Sequence, residues 1–209
     1  MCRVTTTREE MLQHLRRLGI RDARVLDAMA RVPRDEFVDA DQRDVAYGDH
    51  ALPIGAGQTI SQPFVVARMT ELLDPRPTDH LLEVGTGSGY QAAVLALVAG
   101  DVVTVERHAS LAEAARARLA RLGFANVRVI NDDASLGHEA GAPYDGILVT
   151  AATPYIDPAL VAQLTADGRI VAPVGDREMQ ELVVRHADGR EEQYGPVRFV
   201  PLRGEAGFR

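Results

Sequence analysis

Between His80 and Pro173 the sequence alternates short apolar runs with helical segments, and this alternation limits the possible folds more than any other feature. Strands and helices at this spacing predict a parallel sheet whose strands are joined by crossover helices. The expected strands are Leu81–Val84, Val102–Glu106, Val127–Ile130, Gly146–Thr150 and Arg169–Pro173, and the expected helices are Tyr90–Ala99, Leu111–Leu122 and Pro158–Leu164.

The segment before this region is predicted to be mainly helical. Leucines at helical spacing indicate a first helix around residues 12–18, and a second is expected over Ala23–Arg31. A third helix is expected from about Gln62 to Leu73. Between the second and third helices, Pro and Gly residues at 53–57 predict a stretch without regular structure.

The segment after this region has a different pattern. Leu182–His186 and Val197–Pro201 are β-like and predict a terminal hairpin, because no helix separates them. At 209 residues the chain fits one domain. We expect that domain to comprise N-terminal helices (1–75), a ligand-binding α/β core (76–175) and C-terminal strands with a tail (176–209).

Composition excludes several classes of protein. A net charge of −7 argues against a nucleic-acid surface, which needs clustered Lys and Arg. Cys2 is the single cysteine, so neither an internal disulfide nor a cysteine-based zinc site is expected. The apolar run Ala92–Ala99 is too short to span a bilayer, and residues 1–10 lack the apolar core of a signal peptide. We therefore expect a soluble, cytoplasmic protein without a membrane or nucleic-acid partner.

A glycine-rich loop follows the first expected parallel strand. Gly85, Gly87 and Gly89 alternate between that strand and the next helix, so the backbone can turn sharply and a ligand can approach it. An ordinary tight turn needs fewer glycines. A dinucleotide fingerprint can be forced onto Gly87, Gly89 and Ala92, but it leaves Glu83 and Gly85 without a role. The methyltransferase pattern acid-x-Gly-x-Gly-x-Gly, with Glu83 as the acid, accounts for every unusual residue.

Two further acids follow expected strands. Glu106 lies at the end of the second strand, 21 positions after Gly85, where a carboxylate can accept both ribose hydroxyls of an adenosine. A solvated acid at a strand end is the alternative. Asp133 follows the third strand and is a candidate acceptor for the adenine amino group, but it fits a helix cap almost as well.

The most unusual segment, residues 51–63, precedes the glycine loop and ends at an expected helix start. Ser61 occupies the usual position of an N-cap before Pro63, and the local sequence by itself favours that structural role. A hydroxyl that contacts a ligand is the functional alternative. The local sequence leaves both open.

Five segments resemble the protein-L-isoaspartate O-methyltransferase family. They are Val-Pro-Arg-Asp-Glu-Phe-Val (32–38), Gly-Gln-Thr-Ile-Ser-Gln-Pro (57–63), Leu-Glu-Val-Gly-Thr-Gly-Ser-Gly-Tyr-Gln (82–91), Ala-Pro-Tyr-Asp-Gly-Ile-Leu-Val-Thr-Ala-Ala (142–152) and Val-Arg-Phe-Val-Pro-Leu (197–202). The second and fifth segments are the most specific. The resemblance covers nearly the whole chain.

This resemblance implies a Rossmann-like class I methyltransferase fold, an α/β structure of three α/β/α layers with a mostly parallel sheet, an N-terminal helical extension and a C-terminal β-hairpin. It implies S-adenosylmethionine as the methyl donor. The acceptor would be the free carboxylate of an L-isoaspartyl or D-aspartyl residue in a damaged protein. By the same resemblance Ser61 is the active-site serine, and Thr59, Ile60 and Val200 contact the substrate. The implied cofactor-binding residues are Glu83, Gly85, Gly87, Gly89, Glu106, Asp133 and Ala134.

One departure from the family pattern concerns the cofactor. The family usually has Gly-Asp-Gly where this chain has Asp132-Asp133-Ala134, so the acid remains but both flanking glycines are replaced. If those glycines allow close approach of the backbone to adenine, the change weakens cofactor binding.

The expected reaction needs neither a general base nor a metal. The acceptor carboxylate has a reference pKa of roughly 3.3 to 3.9 and is already ionised near neutral pH. The six histidines are scattered, with no obvious metal cluster, and are expected to be structural or on the surface.

Two other classes of function stay open at this point. A related methyltransferase could act on a dedicated peptide or a small carboxylate, although such enzymes are expected to carry a further recognition domain. A non-catalytic S-adenosylmethionine-binding protein would fit the altered segment at 132–134. We expect a monomer, because no extended apolar stripe is left without a partner.

Overall fold

The protein is described over residues 6–208 of a computed structural model. Cys2 lies outside the described residues. The helices are α1 (Arg8–Arg17), α2 (Ala23–Arg31), α3 (Pro63–Leu73), α4 (Tyr90–Ala96), α5 (Ala109–Arg121) and α6 (Pro158–Val161), and the strands are β1 (Leu52–Gly55), β2 (Gln58–Ile60), β3 (His80–Val84), β4 (Asp101–Glu106), β5 (Val127–Asn131), β6 (Tyr144–Val149), β7 (Leu164–Gly175), β8 (Gln180–His186) and β9 (Glu191–Val197).

Seven strands form one sheet in the order β5-β4-β3-β6-β7-β8-β9. The strands β3 to β7 are parallel, and β8 and β9 add an antiparallel hairpin to the β7 edge. Val84 pairs with Val105 on one side and with Val149 on the other. The loops that follow β3, β4 and β6 therefore meet at one edge of the sheet, where open α/β sheets bind ligands.

Helices cover both faces of this sheet. Successive residues of a strand point to opposite faces, and the fully buried Leu81 and Leu82 of β3 belong to different apolar clusters. Leu81 shares its cluster with Met69 of α3 and Leu95 of α4, whereas Leu82 shares its cluster with Leu160 of α6. The predicted three-layer α/β fold with a mostly parallel sheet is confirmed.

The prediction of irregular structure at 53–57 is wrong. Leu52 and Ile60 lie opposite each other and are buried, so β1 and β2 form a small antiparallel hairpin. Its tip has positive φ at Gly55 (92°), Ala56 (50°) and Gly57 (69°). The same glycines that indicated a break in structure allow this tight turn.

The predicted C-terminal hairpin exists, but its second strand is Glu191–Val197 rather than Val197–Pro201. β9 is an exposed edge strand with polar side chains, so it lacks the apolar pattern on which the prediction relied. The chain then leaves the hairpin and runs across the sheet edge beyond β6. There Ala152 donates to the carbonyl of Val200 (2.8 Å), and Leu202 donates to the carbonyl of Ala152 (2.7 Å).

Two helices are shorter than predicted. The helix α4 ends at Ala96 because the chain turns there toward β4, and α6 is a single turn that ends at Val161. The strand β7 begins at Leu164, earlier than predicted, through an irregular pairing with Tyr144. Among residues 6–208, no helix combines the length and apolar character needed to cross a membrane.

Candidate active site

Two adjoining cavities open where β3, β4 and β6 end. The first holds about 600 Å³ of space, part of it open to solvent, and is lined by residues 85–88 of the glycine loop, residues 58–61 and residues 199–200. The second, with about 410 Å³ of space that is also partly open to solvent, is lined by residues 105–108, Ala134 and residues 201–203. Gln58, Gly85, Glu106 and Ala151 line both cavities, which together make one continuous site.

Gly85 allows the chain to leave β3 toward this site. Its φ is +100°, and a Cβ there would lie 2.6 Å from the Thr150 hydroxyl. That hydroxyl donates to the carbonyl of Gly85 (2.6 Å), so the loop is held against the end of β6. A larger residue would add both backbone strain and a steric clash.

Glu106 fixes the other side of the loop. Its Oε2 accepts from the backbone N–H of Gly87 (2.9 Å), and its Oε1 accepts from the backbone N–H of His108 (2.9 Å). The side chain is buried but lines both cavities. Because each carboxylate oxygen can accept more than one hydrogen bond, Glu106 can also accept from hydroxyl groups of a bound ligand.

Glu83 is a fully buried acid at the wall of the first cavity. Its Oε2 accepts from the Thr104 hydroxyl (2.5 Å), whereas its Oε1 has no hydrogen-bond partner among the described residues. Burial raises the pKa of Glu83 to about 8; the hydrogen bond from Thr104 lowers it, and the nearby charge of Glu106 raises it. An unpaired buried carboxyl oxygen at a cavity fits a cationic ligand group.

The titration of Glu83 predicts how stability depends on pH without ligand. Between pH 4.5 and about 8 the unfolded chain has released this proton and the folded protein retains it, so the free energy of unfolding falls as pH rises. Glu83→Gln keeps a neutral side chain at every pH. We expect the variant to match the wild type at about pH 5 and to exceed it by a few kcal/mol at about pH 8.5. Urea unfolding across this range measures the difference.

A matched control for this experiment is Glu113→Gln, on the exposed face of α5. It should leave the pH profile of stability unchanged. If Glu83→Gln and the wild type lose the same stability between these pH values, Glu83 is ionised in the folded protein and the assignment is wrong.

The acceptor-side residues meet the glycine loop in the first cavity. Thr59, Ile60 and Ser61 line it from the end of β2, and Val200 lines it from the tail. Ser61 is half-buried, and its hydroxyl has no hydrogen-bond partner among residues 6–208. The predicted substrate-side residues from two distant segments, 59–61 and Val200, therefore lie in the same cavity as Glu83.

The capping interpretation of Ser61 is wrong. Gln62, not Ser61, holds the N-cap position of α3, and it makes no side-chain cap hydrogen bond. The N–H of Phe64 is instead satisfied by a carboxylate oxygen of Asp49 (2.8 Å). Since the helix is capped from elsewhere, the Ser61 hydroxyl is free to contact a ligand.

Asp133 is placed differently from the other predicted cofactor residues. Its carboxylate caps the short 3₁₀ helix Ala134–Leu136 by accepting from Ser135 N–H (2.9 Å), and it also accepts from Glu205 N–H (3.0 Å). Burial alone would raise the pKa of Asp133, but the hydrogen bonds from Ser135 and Glu205 and the charge of Arg107 lower it below the usual value. Ala134 lines the second cavity and Asp133 does not, so contact between Asp133 and adenine stays a prediction.

Several residues of the site were not found from the sequence. Thr104 is a polar residue within an apolar strand, and that contrast was an available signal for the donor to Glu83. Thr150 ends an expected strand, in the same way as Glu106. Gln58, which lines both cavities, and tail residues 201 and 202 lie in the recognised segments 57–63 and 197–202, but they were not predicted as site residues because their positions depend on tertiary structure. Arg203 lies beyond those segments.

Residues 6–208 contain no group of His, Cys, Asp and Glu that could hold a metal ion. A parallel sheet with a glycine loop after β3, a buried acid before that loop and a second acid at the end of β4 define a class I S-adenosylmethionine-dependent methyltransferase. Comparison with known proteins narrows this class. A family model described as protein-L-isoaspartate(D-aspartate) O-methyltransferase matches residues 6–207, and the chain belongs to this family.

Individual relatives agree with this assignment. The chain is 56% identical over 193 residues to the protein-L-isoaspartate O-methyltransferase of Methanoregula boonei, covering 91% of this chain and 89% of that protein. It is 54% identical over 197 residues to that of Koribacter versatilis, covering 93% and 89%. A solved protein-L-isoaspartate O-methyltransferase has a TM-score of 0.86 and 27% identity, covering 96% of this chain and 67% of that chain. The predicted family and cofactor are confirmed.

Proposed function

We propose that this chain transfers a methyl group from S-adenosylmethionine to the free carboxylate of L-isoaspartyl or D-aspartyl residues in damaged proteins, and that Ser61 orients this carboxylate. One observation carries the assignment of Ser61. Its carbonyl accepts from Arg34, but its hydroxyl makes no hydrogen bond within residues 6–208, and Ser61 lines the same cavity as the glycine loop and Glu83. Family membership supports the same reaction.

The residues around the cavities fit the donor. When bound, S-adenosylmethionine supplies a methyl group on a sulfonium cation. Glu83 would face its positively charged groups, Glu106 would accept from its ribose, and Gly85 and Gly87 would leave room beside the backbone. Gly89 lines neither cavity; a side chain there would meet Leu119 and Ala115 of α5, so its predicted contact with the cofactor stays a prediction. Ala134 and the tail residues 201–203 would enclose its adenine end. Asp133 would support that wall through the tail.

The chain contributes positioning rather than proton transfer. The acceptor carboxylate is ionised at neutral pH, so no group has to remove a proton from it. Ser61 would donate a hydrogen bond to one carboxylate oxygen and direct the other toward the methyl group. Ile60 and Val200 would form the apolar sides of the acceptor pocket, and Thr59 would lie at its rim. A site shielded from water strengthens this charge pairing and speeds transfer.

Methylation initiates repair and does not complete it. The carboxylate oxygen would form a bond to the methyl carbon as the methyl–sulfur bond breaks, which gives a methyl ester and S-adenosylhomocysteine. The neighbouring backbone nitrogen can then displace methanol to close a succinimide. Hydrolysis of that ring yields aspartate in part. The reaction after the ester is spontaneous, so the protein needs no second site. We also propose that the protein is a cytoplasmic monomer with a single domain over residues 1–209. We propose no nucleic-acid partner.

Two peptides that differ in one linkage test the proposed function. We expect methyl transfer from S-adenosylmethionine to an isoaspartyl peptide and at least roughly 100-fold less to its aspartyl twin. The free carboxylate of the twin lies at a different position relative to the peptide backbone, so it would be misplaced in the site. The measurement is incorporation of labelled methyl groups. Equal transfer to both peptides would indicate a methyltransferase with another acceptor, and no transfer to either would indicate a binding protein.

A further inference from the structure

Arg34 is a fully buried arginine directly behind the acceptor segment. It begins the short 3₁₀ helix Arg34–Phe37, and its side chain has no exposed surface. It does not line either cavity. The reaction as derived above does not use it, and a buried arginine needs an explanation because its desolvation is costly.

The contacts of Arg34 converge on the backbone that carries Ser61. Its Nη2 donates to the carbonyl of Ser61 (2.7 Å), and its Nε donates to the carbonyl of Ala46 (2.7 Å). The guanidinium lies over the ring of Tyr90, 4.8 Å from its centre, and Tyr90 lines the first cavity. The planar side chain therefore joins three separate segments at the wall of the acceptor site.

The charge of Arg34 is not neutralised within the part of the chain that is described. No carboxylate of residues 6–208 lies within ion-pair distance of it, and its Nη1 has no hydrogen-bond partner. The Tyr90 side chain favours the charged form most, and Asp49 favours it less, but neither supplies an ion pair. The Asp49 oxygens are engaged with Phe64 and His14. Burial lowers the pKa of Arg34, yet arginine remains protonated at neutral pH because it starts so high.

We propose that Arg34 is a positioning residue for the methyl acceptor: it fixes the Ser61 backbone through the carbonyl, and its uncompensated charge favours an anionic acceptor over a neutral one. This inference rests on the proposed function. Arg34 is a cation without a counter-ion behind a site for a carboxylate. The bound substrate would therefore supply the negative charge that the free protein lacks there. Arg34 would act on the substrate through Ser61 and through its electric field, without touching it.

The test compares two peptides that differ only in charge at the acceptor. One carries the isoaspartyl α-carboxylate, and its twin carries an α-carboxamide at the same position. Binding of both is measured in the presence of S-adenosylhomocysteine. For Arg34→Met we expect the preference for the carboxylate peptide to fall roughly tenfold or more, because a full charge is lost from a buried position. The Kd for S-adenosylhomocysteine should stay within about twofold of the wild type.

Arg34→Lys separates the two parts of the inference. Lysine keeps the charge but cannot reproduce the fork that joins two carbonyls. We therefore expect this variant to keep the carboxylate preference and to lose roughly tenfold in kcat.

Arg8→Met is the matched control, because Arg8 also donates to a backbone carbonyl (Ala30, 3.1 Å) and lies over a tyrosine ring (Tyr47, 5.5 Å) away from both cavities. It should leave preference and kcat unchanged.

Two results would overturn the inference. One is an unchanged carboxylate preference in Arg34→Met, and the other is an equal loss of peptide and S-adenosylhomocysteine binding, which would indicate a general structural role. If Arg34→Met does not fold, Arg34→Lys decides, and a wild-type kcat in that variant rejects the positioning role. Failure of the wild type itself to methylate the isoaspartyl peptide would reject the proposed function instead.

Discussion

Replacement of Glu106 by alanine is expected to raise the Kd for S-adenosylhomocysteine by about 100-fold or more. The carboxylate holds the N–H groups of Gly87 and His108 (both 2.9 Å) and can still accept from ribose hydroxyls. A hydrogen bond to a charged group contributes about 1.5–3 kcal/mol, so the loss of two ligand contacts gives an effect of this size. Release of Gly87 adds to it, because the loop is then less ordered before binding.

Titration calorimetry with S-adenosylhomocysteine measures this effect. Glu106→Gln is the informative companion, because an amide keeps one acceptor oxygen but not the charge, and we expect an intermediate Kd. Glu113→Ala, on the exposed face of α5, should not change the affinity. If Glu106→Ala binds S-adenosylhomocysteine as tightly as the wild type, the ribose assignment is removed.

The sheet and its ligand-binding edge could be predicted because their causes are local. Buried parallel strands are apolar runs, and the change from a strand to a helix at Gly85 requires positive φ. The positions of Glu83 and Glu106 follow from the strands that carry them. In a parallel sheet the carboxyl ends lie together, so residues far apart in the sequence are predicted to meet.

The remaining parts of the site depend on contacts that leave no local pattern. The path of the tail from Val197 to Leu202 is decided by hydrogen bonds to Ala152, and the polar β9 resembles a loop in its composition. Arg34 was part of a recognised segment, but a charged residue in a sequence does not reveal that it is buried. The role of Ser61 was ambiguous for the same reason. Only the structure shows that the N–H of Phe64 is bound by the carboxylate of Asp49 and not by the Ser61 hydroxyl.

The tail links the two halves of the site. Val200 lines the acceptor cavity, whereas Leu202 and Arg203 line the cavity that contains Ala134. Further along, Glu205 and Ala206 donate to Asp133 (3.0 Å) and to the hydroxyl of Ser135 (3.1 Å). One continuous segment thus contacts both cavities, and the replacement of Gly-Asp-Gly by Asp132-Asp133-Ala134 lies where this segment is held.

Ser61→Ala is expected to lower kcat/KM for the isoaspartyl peptide by roughly 10- to 100-fold, while the Kd for S-adenosylhomocysteine changes by less than about twofold. The loss corresponds to one hydrogen bond to a charged acceptor, about 1.5–3 kcal/mol. The cofactor wall is untouched, because Glu83, Glu106 and the glycine loop do not depend on the hydroxyl. Labelled methyl transfer and calorimetry measure the two quantities.

Stability separates this role from that of a helix cap. Removal of a capping serine costs about 1 kcal/mol, whereas the N–H of Phe64 is held by Asp49 and not by Ser61. We therefore expect the free energy of unfolding of Ser61→Ala to stay within about 0.5 kcal/mol of the wild type, as for the exposed control Ser110→Ala. A variant that loses stability and cofactor affinity together with activity would show that the hydroxyl supports the fold. A variant that loses neither activity nor stability would reject the orienting role of the hydroxyl and leave the acceptor carboxylate to be oriented by other groups of the cavity wall.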